Sequence, residues 1–165
     1  MPGDFDDLLD ANADWRADFG LGDLSGRPAR HLAVVSCMDT RVDPLGALGL
    51  QPGDAKMIRN AGARVTDDVI RSIAIVVANL GVDRVAVVAH TDCAMAKLSK
   101  QTLRERVAEV APGDIGDWDP LAVDDQAATL HADLDRLRTS PLLPDDLVVG
   151  AFLYDVEDGS LTPVP

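Results

Sequence analysis

The polar and apolar positions of the chain fall into blocks whose period switches between helix-like and strand-like. Phe5, Leu8, Trp15 and Phe19 recur at helical spacing among acids, which predicts an amphipathic N-terminal helix over residues 5–19. Leu21 to Arg30 reads as a linker rich in Gly and Pro. The run from His31 to Ser36, apolar at Leu32, Ala33, Val34 and Val35, suits a short strand covered on both faces, and it ends at Cys37. Lys56 to Arg59 predicts a second strand closing at Asn60-Ala61-Gly62, where glycine permits a sharp turn. Thr66 then stands as an N-cap with Asp67 and Asp68 in the first turn; Val69, Ile70, Ile73, Val76, Val77 and Leu80 form a broad apolar face, and Gly81 stops the helix. Arg84 to Ala89 is a third strand, which delivers His90. Residues 94–108 read as helix and 112–120 as loop. Ala127, Leu130, Leu134 and Leu137 mark another amphipathic helix, and Leu147 to Tyr154 supplies a last core strand.

Strands that alternate with helices imply an α/β fold: a central, mostly parallel sheet, of expected order 2-1-3-4, flanked by helices, with residues 1–20 as a helical arm. A span of 165 residues suffices for one compact domain with a full core and is short for two, so residues 1–165 are expected to form one domain. In such sheets ligands gather beyond the carboxyl ends of the strands, where the strand order reverses. Cys37 and His90 both lie just past strand ends. In the order 2-1-3-4 their strands are neighbours at that point, so residues about fifty positions apart can share one site.

Charge narrows the partners. The formal net charge of −13, from 28 acidic against 15 basic residues, argues against nucleic acid or an anionic membrane surface as partner. The first residues, Met1 to Asp7, lack the basic start and apolar stretch of a signal peptide, and no run approaches the ~18 apolar residues of a membrane span. A cytoplasmic protein is expected. In a reducing compartment the only two cysteines, Cys37 and Cys93, are expected to be free, catalytic or metal-bound rather than joined.

Two short segments carry the chemistry: Cys37-Met38-Asp39-Thr40-Arg41 and His90-Thr91-Asp92-Cys93. Two thiolates, an imidazole and a carboxylate complete a tetrahedral zinc shell, and if one of them can leave, water becomes the reagent. A cysteine by itself after a strand is ordinarily a small buried hydrophobe. His90 differs from His31 and His131, which have no such companions, because Cys93 lies three residues on. Alternate residues of an extended segment point the same way, so Cys37, Asp39 and Arg41 can face one site. Arg41 can then hold Asp39 in a bidentate pair that keeps it ionised; the bland alternative is a solvated surface pair of little consequence. A phosphatase-like use of Cys37 with Arg41 is excluded, because three intervening residues cannot wrap backbone amides around a phosphate and Asp39 would repel it. Neither a Walker glycine loop nor a dinucleotide fingerprint is present.

Together these segments resemble the β-class carbonic anhydrases, whose signature is Cys-x-Asp-x-Arg followed some fifty residues later by His-x-x-Cys. The stretch from Arg59 to Ser72 is similar to the family's connecting loop and helix, and the short chain resembles its compact prokaryotic subclass. The similarity is strong over residues 31–98. It implies one zinc ion per chain on Cys37, His90 and Cys93, with Asp39 either as fourth ligand or turned to Arg41 so that water takes the fourth position. The implied reaction is the reversible hydration of carbon dioxide to bicarbonate and a proton by a zinc-held hydroxide that Asp39 orients. Ala61, Gly62 and Val65 are expected, from their place in the loop, to wall a small apolar substrate pocket. The resemblance also implies a homodimer or higher homo-oligomer, with the N-terminal helix laid across a neighbour. Ala94 departs from the family's usual Gly after the second cysteine. Two other readings stand beside this one: hydrolysis of carbon disulfide or carbonyl sulfide, and a non-catalytic scaffold stabilised by a permanently closed zinc site.

Overall fold

The structure is a computed structural model and describes residues 3–165. In chain order its elements are α1 (Asp6–Ala17), β1 (Leu32–Cys37), α2 (Pro44–Ala47), β2 (Ala55–Asn60), a 3-10 turn (Ala61–Ala63), α3 (Asp67–Leu80), β3 (Arg84–His90), α4 (Ala94–Lys97), α5 (Lys100–Val110), α6 (Gln126–Arg138), β4 (Val148–Tyr154) and β5 (Leu161–Val164). The strands form one sheet in the order β2-β1-β3-β4-β5. The first four run parallel, as expected, and β5 is antiparallel to β4. The apolar pattern missed β5 because Leu161-Thr162-Pro163-Val164 contains a proline, which a sheet tolerates at its edge.

The side-chain alternation of the strands divides the apolar residues between two cores. Ala33 and Val35 of β1 and Val85, Val87 and Ala89 of β3 pack with α3 and α6, through Ile73, Leu130 and Leu134, into the larger core. Val34 and Val88 face the other way and meet Leu50, Leu45 and Leu48 around α2. Both long helices of the core therefore lie on one face of the sheet, and the short α2 and its loop pack on the opposite face.

Helix α3 is bounded as its sequence predicts. The Thr66 side chain accepts from Val69 N at 3.4 Å, and Gly81 leaves the helix at φ 72°. His31 Nδ1 donates to the Gly81 carbonyl at 2.7 Å, so this histidine secures the end of α3, and His131 pairs with the Pro165 carbonyl on the outer surface.

The expected helix over residues 94–108 is two helices. Leu98 is extended (φ −106°, ψ 130°) and Ser99 caps α5 by accepting from Thr102 N at 3.1 Å. The capping Ser99 divides a stretch of good helix formers whose composition predicts a single helix.

Helix α1 forms over the expected span and buries none of its residues in its own chain, leaving Leu8, Leu9 and Trp15 exposed. Among the described residues no helix is long and apolar enough to cross a membrane.

Candidate metal centre

Parallel pairing sets Ser36 of β1 opposite Val88 of β3, so the two strands end together at the carboxyl edge of the sheet. Cys37 is the last residue of β1 and His90 the last of β3. The turn Thr91-Asp92 brings Cys93 back to them as the N-cap of α4. The donor atoms of Cys37, His90 and Cys93 lie within 4.8 Å of one another, and all three residues are buried. The sulfurs are 4.0 Å apart and form no disulfide.

His90 is oriented by its neighbour's backbone. Its Nδ1 stands 2.7 Å from the Thr91 carbonyl, which can only accept, so Nδ1 carries the proton and Nε2 the lone pair. That Nε2 is buried and has no hydrogen-bond partner. A buried ring nitrogen left unpaired beside two sulfurs fits a zinc ion, which takes nitrogen and sulfur donors and fixes the tautomer through the outer hydrogen bond. The two sulfurs are within hydrogen-bond reach of each other, and either can be the donor. The hydrogen bond with Cys93 pulls the Cys37 thiol far down, against its burial, and the same contact together with burial pushes Cys93 up. Cys37 is also the first cause of the upward displacement at His90. A divalent cation releases these protons and lets both sulfurs be thiolates.

Asp39 stands beside this cluster and is turned to Arg41. The Arg41 backbone N–H and Nε donate to Asp39 Oδ1 at 2.9 and 3.0 Å, and Nη2 donates to Oδ2 at 2.9 Å. Asp39 Oδ2 remains 3.8 Å from His90 Nε2. The hydrogen bonds from Arg41 hold the Asp39 carboxyl well below the usual carboxylate range.

An open cleft of about 350 Å³ reaches Cys37, Cys93, Asp39 and Arg41, and Met38, Ala61 and Met95 give it apolar lining. Ala94, which stands where the family usually has glycine, also lines it. Of the three residues expected to wall a pocket, Ala61 lines this cleft. Val65 lies in the larger core at 2 % exposure. Gly62 turns the chain at φ 82°, where an added Cβ would stand 3.2 Å from Met95 Cβ.

The sequence profile of the carbonic anhydrase family matches residues 32–161. The chain is 35% identical over 159 residues to beta-carbonic anhydrase 1 of Mycobacterium tuberculosis, with 96% of each chain covered. The protein belongs to the β-carbonic anhydrase family. A crystal structure of carbonic anhydrase from Streptococcus mutans superposes with a TM-score of 0.91 at 37% identity, covering 98% of this chain and 97% of that one. The same β-carbonic anhydrase fold includes enzymes of another name: the carbon disulfide hydrolase of Saccharolobus solfataricus is 30% identical over 181 residues, covering 94% of this chain and 88% of its own.

Two further side chains hold this β-carbonic anhydrase centre together, and motif spacing did not single them out. Arg59, on β2, donates from Nε to the Cys37 carbonyl at 3.0 Å and from Nη2 to the Asp39 and Val42 carbonyls at 2.8 and 2.9 Å. One guanidinium thus fastens the whole Cys37–Val42 loop to the neighbouring strand. Asp92, inside the His90-to-Cys93 turn, accepts from Arg41. Its signal was a residue type that tolerates a positive φ, placed between two metal donors.

Proposed function

We propose that this chain catalyses the reversible hydration of carbon dioxide to bicarbonate and a proton, with one zinc ion held by Cys37, His90 and Cys93. The observation that carries the reading is the convergence of these three donors at one edge of a cleft while Asp39, next to them, is gripped by Arg41. Zinc bound there would supply the Lewis acidity that makes water a nucleophile near neutral pH. The chain's own residues do the rest. Arg41 keeps Asp39 ionised and held through three donors, so Cys37, His90 and Cys93 are the residues that would hold the ion. Asp39, an acceptor only, takes the hydrogen bond of the attacking water and so fixes which lone pair faces the substrate. Met38, Ala61 and Met95 offer apolar lining to a small linear molecule without a charge.

The same residues could act on carbon disulfide, a reading favoured by the similarity to the carbon disulfide hydrolase of S. solfataricus. A closed zinc scaffold is disfavoured, since Asp39 is held on Arg41 and no other carboxylate, histidine or cysteine joins the three donors among the described residues. We further propose a cytoplasmic, one-domain protein that assembles with copies of itself, α1 of one chain covering the thinly covered sheet face of another. The support is that α1 buries nothing at home, while Leu32, Leu50 and Phe152 line an open groove of about 360 Å³ on that face.

The test is proton release from dissolved carbon dioxide in stopped flow, with zinc-loaded and chelator-stripped protein, beside sulfide release from carbon disulfide. Carbon dioxide turnover that disappears with the metal is the expected result. Sulfide release alone would move the assignment to the hydrolase, and activity independent of metal would overturn both.

A further inference from the structure

The Arg41 guanidinium has two carboxylate partners, one on each edge. Nε and Nη2 hold Asp39, while Nη1 donates to Asp92 Oδ2 at 2.8 Å and Nη2 donates again to the Asp92 carbonyl at 3.1 Å. The two partners sit on different parts of the fold. Asp39 belongs to the loop after β1. Asp92 is built into the turn between His90 and Cys93 at φ 60°, a left-handed conformation that Asp tolerates better than most residues. Its other oxygen, Oδ1, pairs with Lys97 at the end of α4. Asp92 therefore bridges two cations.

We propose that Asp92 is the positioning residue of the Asp39–Arg41 pair: it ties Arg41 to the turn that carries two of the three metal donors, so that the guanidinium keeps its plane and place whichever way Asp39 faces. Arg41 is 44% exposed, and an exposed ion pair on a long side chain does not by itself fix a geometry. Two planar contacts on adjacent edges, sharing Nη2, do, because the guanidinium fork offers all its donors in one plane. Without the Asp92 carboxylate, Arg41 is tethered to Asp39 and to one carbonyl, and it follows Asp39 instead of directing it. Lys97 offsets the second negative charge, which lets two carboxylates stand around one arginine.

The kinetic arm of this inference rests on the proposed carbon dioxide hydration; its spectroscopic arm rests only on metal binding. The experiment compares wild type, Asp92→Asn, Asp92→Gly, Arg41→Ala and the double variant Asp92→Asn/Arg41→Ala, each loaded with cobalt(II), by visible spectrum and by kcat and KM. Asparagine and glycine both suit the left-handed backbone, so folding is preserved while the carboxylate is lost. The expected result is a kcat about tenfold lower with KM within about twofold for both Asp92 variants, and no further loss when Asp92→Asn is added to Arg41→Ala. The cobalt bands of the Asp92 variants should move in the direction of those of Arg41→Ala. An Asp92 loss that adds in full to that of Arg41→Ala, or Asp92 variants with wild-type cobalt bands, would overturn the proposal. If the wild type turns over no carbon dioxide, the functional reading fails, and the cobalt spectra still decide whether Asp92 anchors Arg41.

Discussion

Arg41 holds Asp39 through three donors, and the carboxylate so held lies 3.8 Å from the unpaired nitrogen of His90. In the proposed reaction, holding the metal and orienting the attacking oxygen fall to different residues. Replacing Asp39 by Ala should leave one zinc per chain by elemental analysis while kcat/KM falls by about 10²-fold or more. Replacing Cys93 by Ala should lose the zinc itself. An Asp39→Ala enzyme of near wild-type rate would make the carboxylate a bystander.

The same contact sets an expectation for pH. The folded-state value of Asp39 is depressed, so its pairing with Arg41 is complete above the ordinary carboxylate range and is lost only as pH falls through the depressed value. Titration of Asp39 therefore cannot shape activity near neutrality. On the proposed reading, Zn²⁺ held by two thiolates and a neutral imidazole would make a net-neutral centre, and the water it activates would be less acidic than the value near ~7 of all-histidine sites. Turnover should rise between about pH 6.5 and 9. In Arg41→Ala the Asp39 carboxyl returns toward the ordinary carboxylate range, still below this window, so the profile should keep its shape there while its height falls. A flat wild-type profile across this window would contradict the charge argument.

Arg59 gives a third expectation, because three backbone carbonyls of the Cys37–Val42 loop depend on it. A buried hydrogen bond from a charged donor contributes roughly 1.5–3 kcal/mol, and because Arg59 is exposed its three together are worth about as much as one such buried bond. Arg59→Ala should cost about 2 kcal/mol in urea unfolding and weaken zinc retention against a competing chelator. Arg59→Lys, which has one nitrogen where the guanidinium has three, should recover only part of either. Unchanged zinc retention in Arg59→Ala would show that the loop is positioned without it.

Much of this architecture could be read from the chain because the relevant signals were local or periodic. Val34 and Val35 before Cys37, and Val87 and Val88 before His90, announce buried strands. The rule that sites form where strand order reverses then brings two distant segments together. Thr66 and Gly81 bounded α3 for the same local reason. What escaped depended on contacts between segments. Nothing near Arg59 in sequence reveals that its guanidinium crosses to the carbonyls of β1's loop, and Asp92 gains meaning only once Arg41, 51 positions away, lies against it. Val65 illustrates the same limit from the other side: its loop position is next to the cleft, yet the turn at Gly62 directs it into the core. The edge strand β5 escaped because four residues with a proline carry too weak an alternation.

Helix α1 supplies the last prediction. Leu9 and Trp15 are 66% and 59% exposed, and α1 buries no residue in its own chain, so changing them removes no contact with the chain's own core. Leu9→Asp with Trp15→Asp should therefore leave the unfolding of an isolated chain nearly unchanged. In an assembly where α1 lies on another copy, the same pair forfeits roughly 1.5–3 kcal/mol of burial per side chain and adds charge to an apolar contact. Light scattering should then give a smaller mass for the double variant than for wild type at equal concentration. Because the cleft lies beside Met38, whose side chain is 64% exposed in the single chain, dissociation should also lower kcat/KM if the neighbour closes that edge. A double variant of unchanged mass would place α1 outside any interface and leave the sheet face to be covered by another part of the partner.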